Sequence, residues 1–467
     1  MNKVKLGVII AHRDVFSEEL AITGRTEIIT ELQRRQIEYV LLEKNDVGPG
    51  IVSNLPQAKA CADFFRSRRD EIDGILVSLP NFGDERSVAD ALKMSGLNVP
   101  VFIQAFSDRP DQFDLAHRRD SFCGKISISN VLKQSKIPFT IGRMFTTTPG
   151  DDEFTRDLEQ FLKICRIVKG LRNARIGLVG ARVAPFKTVR FSEKILEAHA
   201  VSVETIDLAE LEAMIKQLGT KEIDAWLEKL NAYTAKRDAL PQHTLVNLAK
   251  IGRALEIWMQ ENMLHAFALQ CWPTLQKMFG IFPCTLMSYL SQHLIPGACE
   301  TDAVGALSML ALQLASERPA GIFDWNNNWT PNPNQLVLFH CSNCPTGLLE
   351  NPRVTYNAMA VKGAGLDNSF ATIYGTLVKG DITFCRIHTN DEAGKLEAIL
   401  GQGQIVSNPP DTFGAVGILE VPKLQELLRY ICYQGYEHHV SITPGAQAEA
   451  LHEACTKYLG WDMYLHS

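Results

Sequence analysis

The sequence predicts an α/β chain with two doubly wound, parallel-sheet domains followed by a mainly β domain. Three observations carry that prediction. The chain has 467 residues, 46% hydrophobic and 21% charged; at roughly 150 residues per domain this suits two or three domains, each able to bury its own core. Short apolar runs alternate with helical patterns through the first 145 residues, and the alternation resumes at residue 151, as expected for a parallel sheet covered on both faces. After residue 332 helices become rare and apolar segments are separated by Gly, Asp and Asn, which favours strands and turns. The expected domains are residues 1–150, 151–331 and 332–467.

In the first domain, residues 5–11 (KLGVIIA) read as a strand, and residues 18–35 as a helix with an apolar stripe of Leu20, Ile28, Ile29 and Leu32. Residues 40–42, 74–79 (GILVSL) and 99–105 (VPVFIQA) supply further strands, with helices at 58–68 and 87–94 between them. Sheets of this kind place their ligand sites beyond the strand C-termini. The second domain opens with a helix from residue 151, then a strand at 174–180 (ARIGLVG), a helix at 192–198 and a strand at 201–206. A charged helix covers 208–230, an amphipathic one 245–261, and residues 266–270 form a buried segment. In the third domain, residues 336–339, 369–378, 382–387 and 395–404 read as strands and residues 424–432 as a helix.

Acidic residues outnumber basic ones by 53 to 47, for a formal net charge of -6, so no general field attracts nucleic acid or anionic lipid. No apolar stretch reaches the ~18 residues of a membrane span. The oiliest, residues 304–315, is interrupted by Gly305, Ser308 and Gln313. The N-terminal MNKVKLGVII runs straight into a strand-like segment, without the apolar core and small-residue cleavage site of a signal peptide. The 11 cysteines follow no framework spacing and read as reduced, mostly buried thiols. A cytoplasmic location is expected, with neither nucleic acid nor membrane as partner.

Most familiar motifs are absent or incomplete. Gly177-Leu-Val-Gly180 follows a strand, but without a third glycine it reads as a tight strand-to-loop turn, and no nucleotide cofactor is expected. Cys341-Ser-Asn-Cys344 lacks the second pair that structural zinc requires. There is no GxSxG elbow, and His12, His117, His199, His243 and His293 have no partner at ligand spacing.

One region concentrates chemistry. Pro296-Gly-Ala-Cys-Glu300-Thr-Asp302 leads into an apolar helix, and residues 320–325 form an apolar strand with Asp324 and Trp325, followed by Asn326, Asn327 and Asn328. Residues 335–343 contain His340, and His438 and His439 stand near the C-terminus. Glu300, at the start of a helix, would be stabilised by exposed N–H groups. Asp324, near the end of an apolar strand, needs a cation or hydrogen bonds. His340 ends another apolar strand, and an extended chain points His438 and His439 to opposite sides. Two carboxylates with one or two imidazoles, each beside apolar sequence, suit a divalent metal with open positions. Mixed oxygen–nitrogen ligation favours a manganese-like ion over structural zinc. The competing reading makes Glu300 a helix cap, Asp324 a turn former and the histidines polar core groups.

These stretches, CETDAVGALSMLALQLAS (299–316), DWNNNW (324–329), VLFHCSN (337–343), LQELLRYIC (424–432) and EHHV (437–440), resemble the L-fucose isomerase and L-arabinose isomerase superfamily, nearest to its shorter fucose isomerase-like branch. The likeness extends to LPNFGDE (79–85), RRDSFCGKISISN (118–130) and ALQCWP (268–273). It implies a barrel-like third domain, a homo-oligomer (trimer or hexamer) with active sites near subunit contacts, and aldose–ketose isomerisation of a free, unphosphorylated sugar with a divalent metal, usually Mn²⁺. By motif, Glu300 and Asp324 match the metal-binding carboxylates and His439 the metal-binding histidine, while His340 matches a further ligand of the arabinose branch. Glu300 and Asp324 would also divide the acid/base work of proton transfer through a cis-enediol. Gln270 and Trp272, just past a strand, offer an amide and an aromatic face to the sugar; Trp325 and Asn326 adjoin the second carboxylate; Arg13, in AHRD, is a candidate substrate contact from a neighbouring subunit. The expected sugar is of the L-fucose, D-arabinose or L-arabinose type. The alternatives are a C6-modified hexose such as a sulfonated sugar, with Arg13, Lys125 or Arg143 as the added cation, and a non-catalytic carbohydrate-binding protein.

Overall fold

In the computed structural model of the chain, five parallel strands form the first sheet: β1 (Lys5–Ile10), β2 (Glu38–Leu41), β3 (Gly74–Leu79), β4 (Val101–Ala105) and β5 (Thr140–Ile141), in the order β2-β1-β3-β4-β5. The structure describes all residues except 1, 2, 45–47, 235, 236, 239, 408, 410 and 411. Two compact units emerge, one of residues 1–169 with 457–459, the other of residues 170–456 with 460–467. The first sheet lies in the first unit. Helices on both faces explain why β3, GILVSL, is buried at every position. Its one polar side chain, Ser78, donates to Gln104 Oε1 at 2.7 Å, so burial leaves no unpaired hydroxyl.

The second unit contains a smaller parallel sheet, β6 (Arg175–Val179), β7 (Ser202–Ile206), β8 (Ala266–Leu269) and β9 (Gly297–Ala298), ordered β7-β6-β8-β9. The charged segment after β7 is two helices, Leu208–Gln217 and Thr220–Tyr233, rather than one. Gly219 interrupts it as the N-cap of the second, its N–H donating to Glu222 Oε2 at 3.2 Å. Glycine is a poor helix-interior residue but a tolerated cap.

The remaining strands are β10 (Gly321–Asn328), β11 (Gln335–His340), β12 (Leu349–Tyr356), β13 (Phe370–Leu377), β14 (Gly380–Asn390), β15 (Lys395–Ser407), β16 (Ala415–Glu420), β17 (His439–Pro444) and β18 (Asp462–His466). All belong to one sheet, and because β15 pairs with both β14 and β16, the strands β10, β11, β16, β15, β14 and β17 close into an antiparallel barrel. Closure leaves these six strands paired on both sides, while β12 and β18 form the two ends of the sheet. β10 pairs with β11 and β17, so Asp324 sits on a barrel strand and not in the preceding α/β layer where the sequence boundary at residue 331 had put it. The run GIFDW is continuous with the layer before it in sequence; only strand pairing shows which sheet it joins.

One helix ties this unit together. Ala303–Ser316 is apolar on all sides and buried along nearly its whole length, as expected of a helix covered all round. It packs against β8 and β9 of the parallel sheet and against β14 and β17 of the barrel.

Candidate metal centre

Strand register assembles half of the site. In the β10–β17 pair Asp324 lies directly opposite His439, and in the β10–β11 pair it lies opposite Phe339, the residue before His340. Directly opposed residues hold their Cβ atoms about 5 Å apart, so three consecutive barrel strands deliver a carboxylate and two imidazoles to one place. His439 Nε2 stands 3.5 Å from Asp324 Oδ1. His438 Nε2 is also 3.5 Å from that oxygen, and the two imidazole centroids are 4.4 Å apart. The expected opposite orientation of this pair is therefore not seen: β17 begins only at His439, so the alternation of a regular strand does not govern His438.

The other half comes from the C-terminal end of the parallel sheet. After β9 the chain turns through left-handed backbone at Glu300 (φ 55°) and Thr301 (φ 58°) before the helix starts at Ala303. Glu300 is thus neither the helix cap nor in its first turn; Asp302 is the N-cap, accepting the Gly305 N–H at 2.8 Å. The Glu300 carboxylate is buried. Its Oε1 accepts from Cys271 Sγ at 3.6 Å, and Trp272 is among the groups that lower this carboxyl against the effect of burial. Its Oε2 has no hydrogen-bond partner yet lies 3.7 Å from His439 Nε2 and 3.9 Å from His340 Nε2. An orphaned buried carboxylate oxygen is costly, and a divalent cation held by Glu300, Asp324, His439 and His340 would satisfy it. The donors are oxygen and imidazole nitrogen: Glu300, His340 and His439 bring ligand atoms within 4.8 Å of one another, and Asp324 forms an adjoining group with His438 and the same His439.

A buried charge network stands behind His439. Its Nδ1 is 2.8 Å from Asp302 Oδ2, so the carboxylate holds a proton on Nδ1, turns Nε2 toward Glu300 and Asp324, and with them raises the imidazole above its ordinary value against the effect of burial. Arg386 donates to both oxygens of Asp302, at 2.5 and 3.1 Å, and its Nε donates to Glu437 Oε2 at 2.9 Å. Glu437 Oε1 in turn meets His388 Nδ1 at 3.0 Å. Burial alone would raise the Asp302 carboxyl, but Arg386 and His439 hold it well below the usual carboxylate range. Glu300 and Asp324 behave oppositely: burial pushes both upward, while His439 pulls each down. Burial, with His439 and His438 nearby, lowers His340 to about 3, which keeps it neutral and able to donate a lone pair.

The substrate-contact residues fare differently. Trp272 meets Glu300, stacks edge-on with Phe186 at 5.7 Å, and lines a cavity of about 570 Å³ with Gln276, Lys277, Phe282, Cys341, Asn357 and Asn368. Gln270 has its amide occupied: Oε1 accepts from Ala181 N at 2.9 Å and Nε2 donates to Thr274 Oγ1 at 3.0 Å. Trp325 packs edge-on against Phe384 in the barrel core at 5.5 Å, and Asn326 is the exposed residue of a β-bulge. In the first unit, Arg13 pairs with Glu85 and lies over the Phe82 ring at 4.0 Å. Lys125, also there, donates to Phe145 O, and the Arg143 N–H donates to Asp157. Sequence reasoning missed Asp302, Arg386, Glu437 and His388.

Residues 7–172 match the family model "Fucose/sulfoquinovose isomerase, N-terminal domain" and residues 338–466 match "L-fucose isomerase, C-terminal domain". The chain is 23% identical over 406 residues to sulfoquinovose isomerases of Priestia aryabhattai and Priestia megaterium, covering 86% of this chain and 87% of each relative. It is 23% identical over 378 residues to that of Alkalicoccus urumqiensis, covering 79% of this chain and 81% of the relative. All eleven cysteines are free, and among the described residues no helix is long and apolar enough to cross a membrane. With both terminal domains matched, the chain belongs to the fucose isomerase-like family of aldose–ketose isomerases.

Proposed function

We propose that the protein is a divalent-metal-dependent, manganese-preferring isomerase of a free aldose carrying an anionic group at C6, a sulfonated hexose such as sulfoquinovose. The observation that carries the metal requirement is the buried Glu300 Oε2, without a hydrogen-bond partner and facing two imidazoles. The sulfonated substrate is supported by the names of the relatives and by the cavity beside Trp272, where Lys277 is the cation among the lining residues. Lys277 takes over here the part that the sequence offered to Arg13, Lys125 or Arg143. Asn357 and Asn368 supply amide groups to the same cavity.

When bound, the metal supplies Lewis-acid polarisation of the sugar carbonyl and the neighbouring hydroxyl. The protein does the rest. Glu300, Asp324, His340 and His439 hold the ion, and Asp302 fixes His439 in the orientation that binds it. Burial raises the carboxyls of Glu300 and Asp324, which strengthens them as proton acceptors. One of the two takes the C2 proton and returns it to C1 of the cis-enediol; the other serves the hydroxyl proton. Trp272 closes one wall and keeps water from the enediol.

The test is turnover of sulfoquinovose, L-fucose, D-arabinose and L-arabinose by stripped protein with and without Mn²⁺, following ketose formation and C2-deuterium exchange. Mn²⁺-dependent turnover is expected, strongest on the sulfonated sugar, with Lys277→Met raising its KM at least tenfold and leaving neutral sugars unchanged. Absence of exchange on every aldose by Mn²⁺-loaded protein would overturn the reading. We infer in addition three domains per subunit, the second and third sharing the larger compact unit, in a cytoplasmic homo-oligomer, trimer or hexamer. Light scattering on the purified chain tests the assembly.

A further inference from the structure

The same carboxylate that faces the imidazoles also faces sulfur. Cys271 follows β8 and Cys299 follows β9, and these adjacent parallel strands pair Ala268 with Ala298, so both thiols emerge at the C-terminal edge of the small sheet. Cys271 Sγ, Cys299 Sγ and a Glu300 oxygen lie within 4.8 Å of one another. A third thiol, Cys284, interacts with Cys299. We propose that Cys271, Cys299 and Oε1 of Glu300 form a second cation site, selective for thiophilic divalent ions of the zinc and cadmium class, whose occupation draws Glu300 away from the oxygen–nitrogen site.

Geometry supports this. A tetrahedral zinc with Zn–S near 2.3 Å and Zn–O near 2.0 Å sets its sulfur and oxygen ligands about 3.5 Å apart. Cys271 Sγ and Glu300 Oε1 are 3.6 Å apart before any ion enters. The second oxygen of the same buried carboxylate has no hydrogen-bond partner, so Glu300 can turn toward either donor set without breaking a bond on that side. Binding exchanges two thiol protons, released to solvent, for one cation coordinated by two thiolates and a carboxylate. No oxidant is required. The consequence is competition: the two sites share one side chain, so a soft cation weakens Mn²⁺ binding from outside the Mn²⁺ position.

The experiment needs no sugar, so its failure is distinct from failure of the isomerase reading. Full-length, metal-free protein with the exposed Cys123 and Cys432 replaced by serine is titrated with Cd²⁺, reading the ultraviolet thiolate-to-cadmium band and the ¹¹³Cd resonance. One Cd²⁺ with a two-thiolate band and a sulfur-shifted resonance is expected. In Cys299→Ser and Cys271→Ser the band falls at least twofold and Cd²⁺ binds at least tenfold more weakly, whereas Cys61→Ser matches the parent. Cd²⁺ should also weaken Mn²⁺ binding at least tenfold in the parent but not in Cys299→Ser. A ¹¹³Cd resonance in the oxygen–nitrogen range for the parent, which depends on no variant folding, would overturn the proposal, as would bands unchanged by both substitutions.

Discussion

Asp302→Asn separates a positioning role from a merely structural one. The carboxylate is fully buried between Arg386 and His439. Asparagine keeps an acceptor for the His439 Nδ1–H but removes the charge, leaving the buried Arg386 with Glu437 alone. Breaking a buried ion pair by removing one partner costs about 3–5 kcal/mol. Loss of the carboxylate behind a metal-binding imidazole costs about 10–100-fold in metal affinity, or about 1.4–2.7 kcal/mol. The two effects therefore differ in size and in readout: urea denaturation of metal-free protein for the first, and a Mn²⁺ titration followed by electron paramagnetic resonance for the second.

The pH dependence sharpens the test. The folded-state carboxyl of Asp302 is held below its ordinary value, so its stabilisation is complete above about pH 4, the unfolded value, and is lost only as the pH falls further. Asp302 also raises His439 above its ordinary value, a contribution present below about pH 6.5 and lost as the pH rises through the folded value, so the stability deficit of Asp302→Asn should be larger at pH 6 than at pH 8. A variant that lost stability but bound Mn²⁺ within twofold of the parent would refute the positioning of His439 by Asp302. Unchanged stability would refute the ion pair itself.

Three further outcomes follow from the same structure. Burial lowers His340 to about 3, so between that value and the unfolded ~6.5 the unfolded chain binds the extra proton; His340 should contribute about 1.4 kcal/mol of lost stability per pH unit as pH falls below 6.5, read as the difference in slope between metal-free parent and His340→Gln. A Cβ on Gly305 would meet Asp302 Oδ2 at 2.4 Å and Ile322 Cδ1 at 2.8 Å, so Gly305→Ala should weaken Mn²⁺ binding despite the ~1 kcal/mol that alanine contributes to a helix; calorimetric Mn²⁺ titration checks it. Phe384 is fully buried against Trp325 and over Gly401, and Phe384→Ala should cost about 3–5 kcal/mol by urea denaturation.

The longer strands of both parallel sheets were legible because burial on two faces leaves a run such as GILVSL no polar alternation to hide in, whereas the two-residue strands β5 and β9 are too short to show a pattern. Barrel closure was not, since it depends on β15 pairing with β16, and AVGILE of β16 carries no mark of its partner. Glu300, Asp324, His340 and His439 stood out as polar residues beside apolar sequence. Asp302 was available by a simpler rule: an aspartate three residues before Gly305, opening an apolar helix, is an N-cap. Arg386 gave a signal too, a lone cation in the apolar run ITFCRIH, which a buried position tolerates only beside counter-ions. Its partner is 84 residues earlier, and no spacing rule reaches that far.

What joins these pieces is the helix Ala303–Ser316. A parallel sheet offers its ligand groups at strand C-termini, and here Cys271 and Trp272 follow β8 and Cys299 and Glu300 follow β9. A barrel strand pair offers opposed residues, here Asp324 and His439. Neither rule brings the two sets together. The helix does, because its N-cap Asp302 is bonded both to its own Gly305 and to Arg386 and His439 of the barrel, while its apolar sides pack on both sheets. Replacing Gly305 or Asp302 thus perturbs the site through its frame, which is why Mn²⁺ affinity is the quantity on which both variants should agree.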